Sequence, residues 1–118
     1  MKKFELKSPL RGEGRIVRQA GGLHRYGHII VAVEATQTEF SISWEVLPAQ
    51  IPDVFKEAVY RGIKAMFRPD AKFGTYSTDG LLVRIIDGRS HETDSNEGSF
   101  EIASALALTA AQDSLLAG

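Results

Sequence analysis

Residues 51–66 read IPDVFKEAVYRGIKAM, and the periodicity of this stretch decides how the rest of the chain is read. Phe55, Val59, Ile63 and Met66 recur at spacings of four, four and three, which places them on one face of a helix. Ala58 and Gly62 lie beside that face and would admit a neighbouring backbone. Pro52 suits the first helical turn, where its missing N–H costs nothing, and Asp53 complements the positive end of the helix dipole. Glu57 and Arg61 form an i,i+4 pair with the acid first, on the wet side. Pro69 stops the helix, because the residue before a proline avoids helical angles.

Working outward, Phe40, Ile42, Trp44 and Val46 alternate with polar residues, the pattern of a half-buried strand with Trp44 in the core. Residues 26–35 read as a longer strand with Ile29, Val31 and Val33 on one face. A glycine-bearing loop joins it to a strand at residues 14–19, so the pair forms a hairpin with a basic, histidine-bearing tip. Residues 1–10 form an N-terminal arm or edge strand. Beyond Pro69, Phe73 and Tyr76 anchor a loop, residues 81–86 form a short apolar strand, and residues 87–90 make an Asp-Gly turn. A second helix starts near Asp94 or Ser95, with Asp94 and Glu97 spaced as a capping box. Residues 100–111 are apolar nearly all round, so this helix packs against both the sheet and the first helix. The order β-β-β-β-α-β-α predicts an α+β fold, a mainly antiparallel sheet with helices on one face.

At 118 residues the chain is long enough for one domain with a single core. It has no cysteine, which removes disulfides, thiol catalysis and thiolate metal sites together. The start carries no apolar signal block and no stretch has the length of a membrane span, so a soluble cytoplasmic domain is expected. The formal net charge is only −1, but it is unevenly placed. Residues 1–28 hold seven basic groups against two acidic, a net of +5, while the remainder holds seven against thirteen, a net of −6. Such asymmetry points to an anionic partner for the basic part, or to a charged edge strand that discourages sheet-to-sheet pairing.

Catalytic and metal readings find little support. His24, His28 and His91 would converge at one end, yet no acidic ligand stands beside His24 or His28 in the sequence, so polar loop residues are favoured over a metal site. Asp94 and Glu97 are explained by helix capping and Asp87 by its turn. No serine, histidine and acid stand at a nucleophile spacing. A G-x-x-x-x-G-K-[ST] phosphate loop is absent, since Gly12-Glu13-Gly14 has no lysine and serine at the needed distance. No cofactor, metal or catalytic residue is therefore expected, and no GTP binding or hydrolysis.

One series of residues is more specific. Arg18-Gln19 before Gly21-Gly22, then Tyr26-Gly27-His28, then Ile51-Pro52 with Phe55, Ala58-Val59 and Gly62-Ile63, and last Asp87-Gly88 through His91, Asp94-Ser95 and Glu97 stand in order at compatible spacings. This series resembles the fourth domain of translation elongation factor G, over residues 12–115. The resemblance implies a ribosomal protein S5 domain 2-like fold: a four-stranded sheet, two helices on one face, and a left-handed β-α-β crossover. The usual handedness rule gives the opposite hand. In the full-length factor this domain enters the decoding site of the small ribosomal subunit, where its tip loops contact RNA. Where the family has Gly-Gly-Arg-Gly-Gln-Tyr-Gly-His, this chain has Gly-Gly-Leu-His-Arg-Tyr-Gly-His, so Leu23, His24 and Arg25 differ. Pro48-Ala49-Gln50 replaces a glycine pair before the first helix. The chain is either a stand-alone relative of that domain or an excised piece of a longer factor.

By this resemblance the RNA-binding candidates are Arg18, Gly21, Gly22, His24, Arg25, Tyr26, His28, Arg89 and His91, with the small ribosomal subunit or another structured RNA as partner. The module would be non-enzymatic and would bind neither nucleotide nor membrane. The alternative is a protein-interaction or scaffold domain that kept the fold and lost RNA binding. The near-neutral total charge favours that alternative, and the localised basic tip favours the first.

Overall fold

A computed structural model describes residues 6, 8–18, 24–74 and 76–117, with side chains to residue 113. Its elements are β1 (Leu10–Arg18), β2 (Arg25–Ala35), β3 (Ser41–Trp44), α1 (Lys56–Ala65), β4 (Leu81–Arg89) and α2 (Glu97–Ala117). The sheet order is β1-β2-β4-β3, with β1 and β4 antiparallel to β2, and β3 parallel to β4. A parallel neighbour cannot be reached by a hairpin, so the chain crosses over through α1 between β3 and β4. The expected α+β architecture, a mainly antiparallel four-stranded sheet backed by two helices, is what the chain adopts. The arm expected at residues 1–10 falls largely outside the described residues; its Leu6 packs against the core.

The second helix lies almost on the backbone of β1. A Cβ at Gly14 would strike the carbonyl of Ala103, and one at Gly12 the carbonyl of Ala107. These strand glycines and the alanines opposite them bring sheet and helix closer than larger side chains would permit. Gly62 does the same between the helices, where a Cβ would strike Ser104 and the Glu101 carbonyl. Between the layers, Ile29, Val31, Val83, Ile85, Ile63 and Phe100 are each fully buried. Each such side chain contributes about 1.5–3 kcal/mol relative to exposure. Phe55 stacks on Phe100 at 4.9 Å between ring centres, joining the start of α1 to α2.

Several local expectations change. Strand β1 begins at Leu10, not at residue 14, and ends at Arg18; Gly12 extends it as a strand position under the helix. Residues 87–89 continue β4 instead of turning. Gly88 pairs with Ile29 and accommodates the Ile51 side chain, and a register shift at Ile30/Val31 absorbs one extra residue of β4. The predicted helix at 51–66 starts as a 3-10 turn at Asp53–Phe55 and ends at Ala65. Its last bonds, from Phe67 N to Lys64 O and from Arg68 N to Ala65 O, tighten the chain before Pro69 is reached. Arg61 reaches across to Glu101 (2.9 Å) and Glu97 (3.4 Å) of α2 rather than pairing with Glu57. Asn96 caps α2 in place of Asp94, its Oδ1 accepting the Ser99 N–H at 2.9 Å. Trp44 is half-buried, edge-on to Tyr60. Among the described residues no helix is long and apolar enough to cross a membrane.

Candidate nucleic-acid interface

Two loops meet at one end of the sheet because the segment after β4 folds back onto the start of β2. The Tyr26 N–H donates to the Asp94 carbonyl (3.1 Å), and the Ser95 hydroxyl donates to the Tyr26 carbonyl (2.8 Å). Within the segment, the Ser95 N–H donates to the His91 carbonyl (3.0 Å) and the His91 N–H to the Ser95 hydroxyl (2.7 Å). Both helices begin here as well. Asn96 opens α2, while Gln50 donates to Asp87 at 3.0 Å and Ile51 rests on Gly88, fixing the approach to α1. The positive ends of two helix dipoles therefore face this end.

Asp94, its side chain only 14% exposed, lies between His24 Nδ1 (3.9 Å) and His91 Nδ1 (3.5 Å). Folding supplies the acids that sequence neighbours do not, Asp94 to His24 and Glu13 to His28. The Asp94 N–H donates to His91 Nδ1 at 3.2 Å, which requires the lone pair there and assigns the proton of the neutral ring to Nε2. Half-exposed His91 therefore offers a donor to solvent, with the Tyr26 ring 6.0 Å from its own. His28 Nε2 is within 3.1 Å of Glu13 Oε2, but the two are not aligned as a hydrogen bond, and the buried nitrogen has no hydrogen-bond partner. Among the described residues no group of three or more His, Asp or Glu could hold a metal ion.

The arginines complete the site. Arg18 and Arg25 stand directly opposite each other at the end of the hairpin, and Arg15 and Arg89 stand on either side of His28. Among the described residues none of these four has a carboxylate within 4.0 Å. Like charges placed opposite on neighbouring strands repel. Arg25 differs from the rest in that its guanidinium lies against Gly98 in the first turn of α2. Of the sequence candidates, His24, Arg25, Tyr26, His28, Arg89, His91 and Arg18 are thus gathered at this end; Gly21 and Gly22 lie outside the described residues. Arg15, Glu13 and Asp94 were missed. For Arg15 the signal was available, since alternation about Gly14 and Ile16 turns its side chain to the sheet face away from the helices.

A four-stranded sheet of this order, backed by two helices and with its loops gathered at one end, defines an α+β domain of the S5 domain 2-like class. The family model for elongation factor G, domain IV, matches residues 5–114, and the chain belongs to that family. It is 32% identical over 109 residues to elongation factor G of Petrotoga mobilis, a match covering 89% of this chain and 16% of the relative. Elongation factor G of Thermotoga petrophila is 33% identical over 106 residues, covering 86% and 15%. A crystal structure of a Thermus thermophilus protein superposes with a TM-score of 0.77 at 27% identity, covering 91% of this chain and 16% of that one. The chain thus spans about one-sixth of the length of these relatives.

Proposed function

We propose that this domain is a non-enzymatic, translation-related module that binds the small ribosomal subunit through RNA at the end where the two loops meet. The observation that carries the reading is the collection there of Arg15, Arg18, Arg25 and Arg89, without carboxylate partners among the described residues. Phosphate groups satisfy such cations and release condensed counterions on doing so. His91 Nε2–H and the Tyr26 ring supply a donor and a stacking surface for unpaired bases. A scaffold without RNA binding accounts for the total charge of −1, and the edge position of β1 for basic residues on that strand, but neither accounts for Arg25 and Arg89 on the inner strands beside them.

The test is co-sedimentation with purified small subunits across a salt series. Arg18→Ala and Arg89→Ala are better probes than Arg25→Ala, because Arg25 also packs against α2. Each should lower the slope of log affinity against log salt by about 0.7–0.9. Lys72→Ala is the control: Lys72 pairs with Asp113, far along α2 from the tip. Failure of the wild type to co-sediment at low salt, or equal behaviour of tip and control variants, transfers the assignment to the scaffold reading. Titration with a fluorescent GTP analogue should show no saturable binding, since the sequence has no phosphate loop. Micromolar affinity competed by unlabelled GTP would sink the non-enzymatic reading.

A further inference from the structure

The sheet face turned away from the helices carries a depression of about 350 Å³ lined by Glu13, Arg15, Tyr26, His28, Asp87 and Arg89. Strand register arranges it in rows. Nearest the tip is Tyr26 opposite Val17, then Arg15, His28 and Arg89 abreast, then Glu13, Ile30 and Asp87 abreast. With adjacent strands about 4.8 Å apart, the Arg15 and Arg89 backbones stand about 9.5 Å from each other, astride His28. The order running from the tip is therefore aromatic, cationic, anionic.

We propose that this depression is a subsite for one unpaired guanine nucleotide of single-stranded RNA, extending the tip contact onto the sheet; the assignment rests on the RNA-binding reading of the tip. The charge order sets the pose. A phosphodiester strand can lie along the Arg15–Arg89 row but is repelled by the Glu13–Asp87 row, so only a base, directed away from the tip, can reach those carboxylates. The carboxylates only accept hydrogen bonds and require donors. Guanine presents a ring N–H and an amino group side by side on one edge, which matches a carboxylate; uracil presents one N–H between two carbonyls, which a carboxylate repels. Asp87 offers one acceptor, Oδ2, which has no hydrogen-bond partner among the described residues, because its Oδ1 already accepts from Gln50 (3.0 Å) and from the Gly88 N–H (2.8 Å). Glu13 accepts no hydrogen bond among the described residues and has both oxygens for the paired donors. The volume, at the low end of small-molecule sites, admits a single nucleotide and not a duplex.

The experiment is fluorescence anisotropy on the full chain with two labelled pentaribonucleotides, one all uridine and one with a central guanosine. The guanosine probe should bind about tenfold tighter to the wild type. The double variant Glu13→Gln/Asp87→Asn should abolish that preference without weakening the uridine probe, and Asp87→Asn keeps the Oδ1 acceptor that the fold uses. Arg15→Ala should weaken both probes equally and lower the salt slope by about 0.7. Equal wild-type affinity for the two probes, or a preference that survives in the double variant, overturns the subsite. If small-subunit binding then still responds to Arg18→Ala, the tip reading stands without it; if neither probes nor subunits bind, both readings fall together.

Discussion

Arg84 and Arg61 in the body of the domain and Arg18 and Arg89 at its tip are the same side chain in opposite situations. Arg84 donates to both oxygens of Glu45 (2.7 and 2.8 Å), and Glu34 stands 3.8 Å away. Arg61 ties α1 to Glu97 and Glu101 of α2. Arg18 and Arg89 have no such partner among the described residues, and folding sets Arg18 opposite a second cation, Arg25. Arg84 and Arg61 are therefore neutralised within the fold, while Arg18 and Arg89 are not. A total charge near zero conceals this division, which is why composition alone pulled the functional reading toward a scaffold.

The largest test of that division acts on the body. Gly14→Leu places a side chain where the Ala103 carbonyl of α2 lies, with backbone and not a flexible side chain in the way. Overpacking of this kind should cost about 3 kcal/mol or more. Gly62→Leu meets the movable Ser104 hydroxyl as well as the Glu101 carbonyl, so about 1–3 kcal/mol is expected. Urea melts give the comparison directly. An unchanged midpoint for Gly14→Leu would mean that α2 does not rest on β1, and the two regions would not be related as described.

A smaller effect on a different observable is expected at the tip. The double variant Arg18→Ala/Arg89→Ala should weaken small-subunit binding by about tenfold or more at low salt. Its folding stability should stay within about 0.5 kcal/mol of wild type, as for surface substitutions that break no special contact. Removing the Arg18–Arg25 opposition should, if anything, stabilise the free domain. A stability loss above about 1 kcal/mol would show that these arginines serve the fold after all.

How much of this was legible depended on whether a residue's role is local. The burial of Val59 and Ile63 followed from period alone, and so did the face carrying Ile29, Val31 and Val33, because side-chain direction is set by position along one element. Roles fixed by distant neighbours were missed or misread. Nothing in their own segment marks Gly12 and Gly14 as contact points for α2, which comes about ninety residues later in the chain. Asp87-Gly88 carries a turn signature, yet pairing with β2 and the Ile51 side chain holds it extended. Asp94 and Asn96 are both good capping residues at nearly the same place, and the tip decides between them by drawing Asp94 to the two histidines. The site followed the same rule. Its two loops could be named, while the Glu13–His28 approach and the Arg15–His28–Arg89 row needed a strand register that no single segment encodes.

The smallest expected effect probes the paired side of the comparison through pH. The hydrogen bond from Arg84, reinforced by the Ser43 hydroxyl, lowers the Glu45 carboxyl from its ordinary 4.5 to about 2. A carboxyl that ionises more readily in the folded state than in the unfolded one stabilises the fold above the unfolded value. That contribution is lost as pH falls from 4.5 through about 2, below which both states are protonated. Glu45 is a third exposed, at 34%, so solvent screening limits the gain to about 0.5–1 kcal/mol. Glu45→Gln should therefore lower stability by that amount at neutral pH, and its deficit should shrink as pH falls and vanish only below pH of about 2. Urea melts of both proteins at neutral pH and across the acid range measure the closing gap. A deficit that stays constant down to the lowest pH would mean that Glu45 acts through packing and not charge, and the body's arginines would no longer be the matched counterpart of those at the tip.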